Sequence, residues 1–189
     1  MAVGGSMSRL EWSLLGLLSM VWGATFFLAE IALVELNPAW LVLLHVGLAA
    51  TALQLAMRLA GQAVPMTPRL FAAFAVMGLL NNVLPFSLIF WSQTAIDSSL
   101  AAILNATTPF WVVLLAHVLT DYEPATPRKL AGIAVGWCGV VVMLGPGLLG
   151  GVGSAVLPQA AVLLATLCYA LSGIWARRFR GLPPLAGAA

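Results

Sequence analysis

Charge is scarce in this chain. Asp, Glu, Lys and Arg make up 7% of its 189 residues, where soluble domains run at about 25%. With 62% of residues hydrophobic, a water-soluble fold is excluded, because at this length about 30% of the surface exposed by the unfolded chain would stay wet. Cysteine is equally rare. Cys138 and Cys168 both sit inside apolar runs, which excludes a disulfide framework and predicts buried, unreactive thiols. The two histidines, His45 and His117, bring no His/Cys/acid cluster with them, so no metal is expected. No Gly-rich phosphate loop with its Lys and Ser/Thr occurs, nor a Gly-x-Ser-x-Gly nucleophile setting; neither ATP-driven chemistry nor an enzyme is expected, and no cofactor. A net charge of +2 is too small to argue for nucleic acid. The first apolar run is longer than the core of a cleavable signal, and no small-residue cleavage site ends it.

What the chain does have is length of apolar sequence. A bilayer core about 30 Å thick takes about 20 apolar residues per helix. Runs of that size fall at 12–34, 39–59, 70–92, 99–119, 129–147 and 157–176. Prolines and capping residues separate them: Asn37 and Pro38, Asp97 and Ser98, Pro124 and Pro127, and a Gly-rich stretch at 145–153. Backbone groups in hydrocarbon must bond within their own segment, so these runs predict helices, and they are too long for barrel strands. The expected fold is an all-α integral membrane protein with six transmembrane helices in a lipid bilayer.

The eight basic residues settle an expected orientation. Arg9, Arg58, Arg69, Arg128, Lys129, Arg177, Arg178 and Arg180 all fall in alternate gaps, while the gaps near 35–38, 93–97 and 147–157 hold none. Cytoplasmic loops keep Lys and Arg, so both termini are expected inside. Placing the sixth run on the first with an offset of 147 aligns Trp22 with Tyr169, Ala29 with Ala176 and Glu30 with Arg177, and a one-residue gap brings Pro38 onto Pro184. The first run starts inside and the sixth outside, so a five-helix repeat would be inverted, an arrangement many secondary transporters use.

Three stretches resemble the EamA-type branch of the drug/metabolite transporter (DMT) superfamily. The first run carries Val21-Trp22-Gly23-Ala24-Thr25-Phe26, similar to that family's Trp-Gly-small opening. Residues 98–109 resemble its small-residue fourth helix with a central proline, Pro109. Glu123, then Gly132, Gly136 and Gly139, are similar to its Glu-to-Gly spacing before a Gly-rich fifth helix. The resemblance implies a first five-helix repeat at 12–147, a Gly-rich linker at 148–156 and the first helix of a second repeat at 157–189. It implies a permease of the bacterial inner membrane that moves small metabolites or drug-like solutes, more often outward. Such transporters usually have ten helices, so four further helices or a homodimer are expected to complete the path; the alternative is a non-transporting fragment or accessory subunit. The family often has an Arg early in the second helix, where this chain has His45.

Candidate residues follow from polar groups inside apolar runs. An ionised carboxylate at mid-bilayer costs about 2.5–3.5 kcal/mol, which singles out Glu30. His45 enters from the same side at similar depth. The expectation is a Glu30–His45 pair that responds to protons or contacts substrate; the open alternative is snorkelling for Glu30 and a structural hydrogen bond for His45. Asn81 and Asn82 before Pro85, and Asn105, Thr107 and Thr108 beside Pro109, place amides, hydroxyls and proline-freed carbonyls in mid-span. They suit either a polar pathway or interhelical bonds worth about 0.6 kcal/mol each. Trp22, Trp91, Trp111 and Tyr169 are read as cavity lining for an apolar or aromatic solute, or as packing. Trp12, Trp40 and Trp175 sit at span ends as interfacial anchors. Gly132, Gly136 and Gly139 form a small-residue face for close helix approach.

Overall fold

The computed structural model describes residues 8–62, 67–120, 126–150 and 156–179. Among them every element is helical and no strand occurs. In chain order these are α1 (Arg9–Ala32), α2 (Pro38–Leu59), α3 (Pro68–Gly78), a π turn (Leu79–Val83), α4 (Leu84–Ser92), α5 (Ser98–Asn105), α6 (Thr108–Leu119), α7 (Pro127–Gly150), α8 (Val156–Trp175) and a 3₁₀ turn (Ala176–Phe179). Among the described residues, five stretches are long and apolar enough to cross a membrane: Arg9–Ala32, Pro38–Leu59, Pro68–Ser92, Ser98–Leu119 and Val156–Phe179. The 24-residue α7 covers the fifth expected run. It continues through Gly150, so the first residues of the expected Gly-rich linker are helical. Asp121, Glu123, Arg180 and Pro184 lie outside the described residues.

Local chemistry explains the helix starts. Four N–H groups at each helix N-terminus lack an internal partner, and short polar side chains accept from them. Ser8 and Glu11 form a reciprocal capping box at α1. Asn37 Oδ1 accepts from Ala39 N–H at 2.9 Å and Thr67 Oγ1 from Leu70 N–H at 3.2 Å, each followed by a proline whose fixed φ suits the first helical position. At the end of α2, Gly61 adopts φ +64°. There Gly61 N–H bonds Arg58 O and Gln62 N–H bonds Met57 O, a glycine-dependent helix stop.

Two spans are interrupted, and both carry a proline. Pro85 has no N–H, and in a regular helix its ring would collide with the Asn81 carbonyl. The turn before it widens instead, and Leu84 N–H bonds back to Leu79 O, five residues rather than four. The fourth span breaks at Ala106 and Thr107, between α5 and α6. Pro109 cannot donate to the Asn105 carbonyl, and Thr108 Oγ1 donates there instead at 2.7 Å.

The last helix is the centre of the bundle. Val162, Ala165 and Ala170 on α8 are completely buried, and Val162 and Ala165 share one core cluster with Ala101 and Leu104 of α5 and Phe90 of α4. α8 lies chiefly against α4 and α6, α1 against α5, and α2 against α4. Hydroxyls on α8 meet both interrupted spans: Ser172 Oγ donates to Asn81 Oδ1 at 2.9 Å, and Thr166 Oγ1 sits 3.4 Å from Thr107 Oγ1. Cys168 is buried as expected, whereas Cys138 is exposed on α7, because the outer face of that helix has no described neighbour.

Candidate functional site

Five helices converge on a cavity of about 280 Å³. α1 contributes Val21, Trp22, Thr25 and Phe26, and α2 contributes His45. α4 adds Phe86, Ile89 and Phe90, α5 adds Asn105, and α8 adds Tyr169. Helical spacing explains these sets, since residues three and four apart share a face. Trp22 with Phe26 and Phe86 with Phe90 are such pairs. The His45 ring packs on Phe86 with centroids 4.5 Å apart and meets Phe90 edge-on at 5.8 Å. Among the described residues, no Asp, Glu, Lys or Arg lines the cavity. Its polar groups are few, and Asn105 Oδ1 is buried without a hydrogen-bond partner. An aromatic cage with a small number of placed polar groups is the usual make-up of a small-molecule site.

Of the residues expected from the sequence, Trp22, His45, Asn105 and Tyr169 thus meet in one place. Others do not. The expected Glu30–His45 pair does not form. Glu30 Oε2 accepts from the backbone N–H of Ser98 at 3.3 Å, at the start of α5, where Asp97 makes no side-chain cap. Free N–H groups and the helix dipole draw a carboxylate to that end, while His45 is turned toward the phenylalanines of α4. Asn81 is taken up by Ser172, and Thr108 by the Asn105 carbonyl. Asn82 is half-buried in the π turn, and its side chain makes no hydrogen bond among the described residues. The mid-span polar residues therefore do not share a single lining. Trp91 faces a separate hollow of about 310 Å³ with Asn37, Val42 and Ser87. Trp111 packs edge-on against Trp137 at 5.7 Å, with its indole Nε1 buried and unpartnered.

The three glycines also separate. A methyl group on Gly136 would lie 2.1 Å from Phe110 Cζ, whereas Gly132 and Gly139 have nothing within 4 Å. Trp175, expected as an anchor, also donates from Nε1 to Ala73 O at 3.0 Å and carries Arg178 over its ring at 3.8 Å.

Gln93 falls in a gap between apolar runs and carries no mark of a function in the sequence, yet it is buried, and its Nε2 donates to the Phe26 carbonyl at 2.9 Å. Ser172 and Thr166 carry no mark of their own in the sequence. Each is a small hydroxyl one turn from Tyr169, and that spacing is the available signal.

Comparison with known proteins agrees with this architecture. Residues 10–145 match the EamA-like transporter family, and the chain belongs to that family. The uncharacterized transporter YoaV of Bacillus subtilis (strain 168) is 20% identical over 166 residues, covering 87% of this chain and 56% of its own length. Protein PagO of Salmonella typhimurium (strain LT2) is 32% identical over 121 residues, covering 63% of this chain and 39% of its own length. The chain thus spans roughly half the length of these relatives or less. No solved structure matches it. Family membership, together with five helices able to cross a bilayer, makes this a multi-pass integral membrane protein.

Proposed function

We propose that this chain is a secondary transporter, or the first part of one, that exports small metabolites or drug-like solutes across a bacterial plasma membrane by alternating access. The cavity carries this reading: five helices from the whole length of the chain contribute to one aromatic hollow. Transport at a site between helices requires elements that can rearrange, and both interruptions supply backbone free of a regular ladder. The π turn and the α5–α6 break each rest on the central helix α8 through a single polar contact. In this reading α7 spans the membrane as well, which gives six spans with both termini cytoplasmic. Residues 12–147 form the first repeat, 148–156 the connection, and 157–189 the start of the second.

The test is efflux from an exporter-deficient bacterial strain expressing the protein, screened over a panel of small solutes, with Trp22→Ala and Tyr169→Ala alongside. The expected result is reduced accumulation of at least one solute, lost in both variants at unchanged membrane level. Orientation is checked by single cysteines at Ser98 and Lys129, labelled with a membrane-impermeant thiol reagent in intact cells. Labelling at 98 and protection at 129 are expected; the reverse would remove the topology on which the direction of transport rests.

A further inference from the structure

The π turn divides the third span into halves that are held very differently. Beyond it, α4 buries Pro85, Ile89, Phe90 and Ser92, and Gln93 at its end is buried and bonded to the Phe26 carbonyl of α1. Before it, the 11-residue α3 has no buried residue, and among the described residues it is not one of the elements that α8 packs against closely. Side chains bridge the space between them. Trp175 Nε1 donates to Ala73 O at 3.0 Å, and the Phe74 and Phe179 rings stack 4.6 Å apart with planes 3° from parallel. Arg178 lies over the Trp175 ring, 3.8 Å from its centroid. At the π turn itself, Ser172 Oγ donates to Asn81 Oδ1 at 2.9 Å.

All of these contacts lie on one side of the cavity, towards the end that carries Arg69, Arg177 and Arg178. On α8 the cavity residue is Tyr169, and Ser172, Trp175 and Phe179 follow it towards that end. On the third span the first cavity residue is Phe86, and Ala73, Phe74 and Asn81 precede it. At about 1.5 Å per residue, Trp175 stands about 9 Å beyond Tyr169. A swing of α3 away from α8 would therefore open the cavity on the arginine-bearing side, while Phe86, Ile89 and Phe90 on α4 stay in place. The widened turn suits a hinge, because Leu84 N–H already reaches back to Leu79 O and Pro85 cannot donate to the Asn81 carbonyl. The side chains that must part, Phe74, Trp175 and Phe179, are only half-buried. The Ser172–Asn81 bond sits at the pivot and need not break.

We propose that α3 is a hinged gate on the arginine-bearing side of the cavity, pivoting at the π turn and latched to α8 through Trp175–Ala73 and Phe74–Phe179. The structure holds the latched state. The proposal rests on reading the cavity as the solute site, and names the device that closes one exit from it.

The test is spin-label distance measurement by pulsed electron resonance on the full chain in lipid nanodiscs, with Cys138 and Cys168 replaced by alanine. Labelled cysteines at Phe71 and Gly173, both exposed, report on the gate; an added Cβ at Gly173 meets nothing within 4 Å. Labels at Thr94 and Leu157, also exposed, report on the opposite end. With the latch intact, the Phe71–Gly173 pair is expected to give one dominant short distance. Trp175→Phe with Phe74→Leu removes the indole N–H and the ring stack, and is expected to raise the ratio of long to short distances about tenfold, the size of one net hydrogen bond. The Thr94–Leu157 distance is expected to stay unchanged. A gate distance that stays short in this variant overturns the proposal, and so does lengthening of both pairs together. A second measurement leaves the latch variant aside: Phe74→Cys and Phe179→Cys, bridged by a short bifunctional thiol reagent, are expected to stop efflux until the bridge is reduced. Efflux that continues through the bridged protein would sink this proposal alone. A gate that opens in the latch variant of a protein with no efflux of any solute would sink the transporter reading alone.

Discussion

The helices α1 and α8 are made of similarly apolar sequence and occupy opposite environments. In the membrane-length window of α1, 6% of residues are buried, and in that of α8, 44% are. The difference lies in residue size. α1 presents Leu10, Trp12, Leu14, Leu17, Leu18 and Phe27 outward, bulky groups suited to acyl chains. α8 places Ala161, Ala165, Thr166, Cys168, Ala170 and Ser172 against its neighbours. Lipid tails are as apolar as leucine, so helices in a bilayer associate through close van der Waals contact and interhelical hydrogen bonds rather than hydrophobic burial. A helix with small residues on several faces can be surrounded. One that carries mostly large residues stays at the rim.

Substitutions can break that contrast, and the largest effect belongs to the centre. Ala165→Leu adds three heavy atoms at a completely buried position and is expected to lower stability by about 1–3 kcal/mol through overpacking. Leu17→Ala on the exposed face of α1 is expected to stay within about 0.5 kcal/mol. Thermal unfolding in detergent, followed by tryptophan fluorescence, checks both, and equal effects would undo the distinction between centre and rim.

Gly136→Ala comes next. Its new methyl group would meet the Phe110 ring, which must turn away at a cost of about 1 kcal/mol. Gly139→Ala meets nothing and is expected to be neutral or stabilising, since alanine is the better helix former by about 1 kcal/mol. The same unfolding measurement separates the two; similar losses at both glycines would show that the face acts as a unit. Glu30→Leu removes the cross-helix cap of α5 and is expected to cost about 1 kcal/mol, with faster amide hydrogen exchange at Ser98 and its neighbours. Glu30→Gln keeps an acceptor oxygen and should show a smaller change. The smallest loss of a contact is expected for Ser172→Ala, which gives up its bond to Asn81 at about 0.6 kcal/mol, read by the same unfolding signal.

Much of the helical layout was legible beforehand. The apolar runs at 12–34, 39–59, 70–92 and 99–119 reappear as Arg9–Ala32, Pro38–Leu59, Pro68–Ser92 and Ser98–Leu119, because capping residues and prolines punctuate them. Pro85 and Pro109 pointed to irregular backbone, though not to a π turn in one span and a break in the other. Trp22, His45, Asn105 and Tyr169 stood out as polar or aromatic groups in apolar surroundings, and the structure places all four on one cavity. Glu30 bonds the Ser98 N–H rather than His45. Matching depth along two helices suggests a Glu30–His45 pair, but a contact also needs the right rotation about each helix axis, and depth says nothing of rotation. Gln93 was illegible for a related reason: its partner is a main-chain carbonyl, which leaves no mark in a sequence.

Hydropathy, capping residues and the placement of arginines along the chain determine where helices begin and end, because a bilayer demands that each span satisfy its own backbone. Which helix becomes the centre, which glycine is approached and which polar group receives a partner were decided by tertiary packing alone. Those outcomes depend on how similar apolar cylinders turn and lean against one another, where a modest rotation exchanges one neighbour for the next.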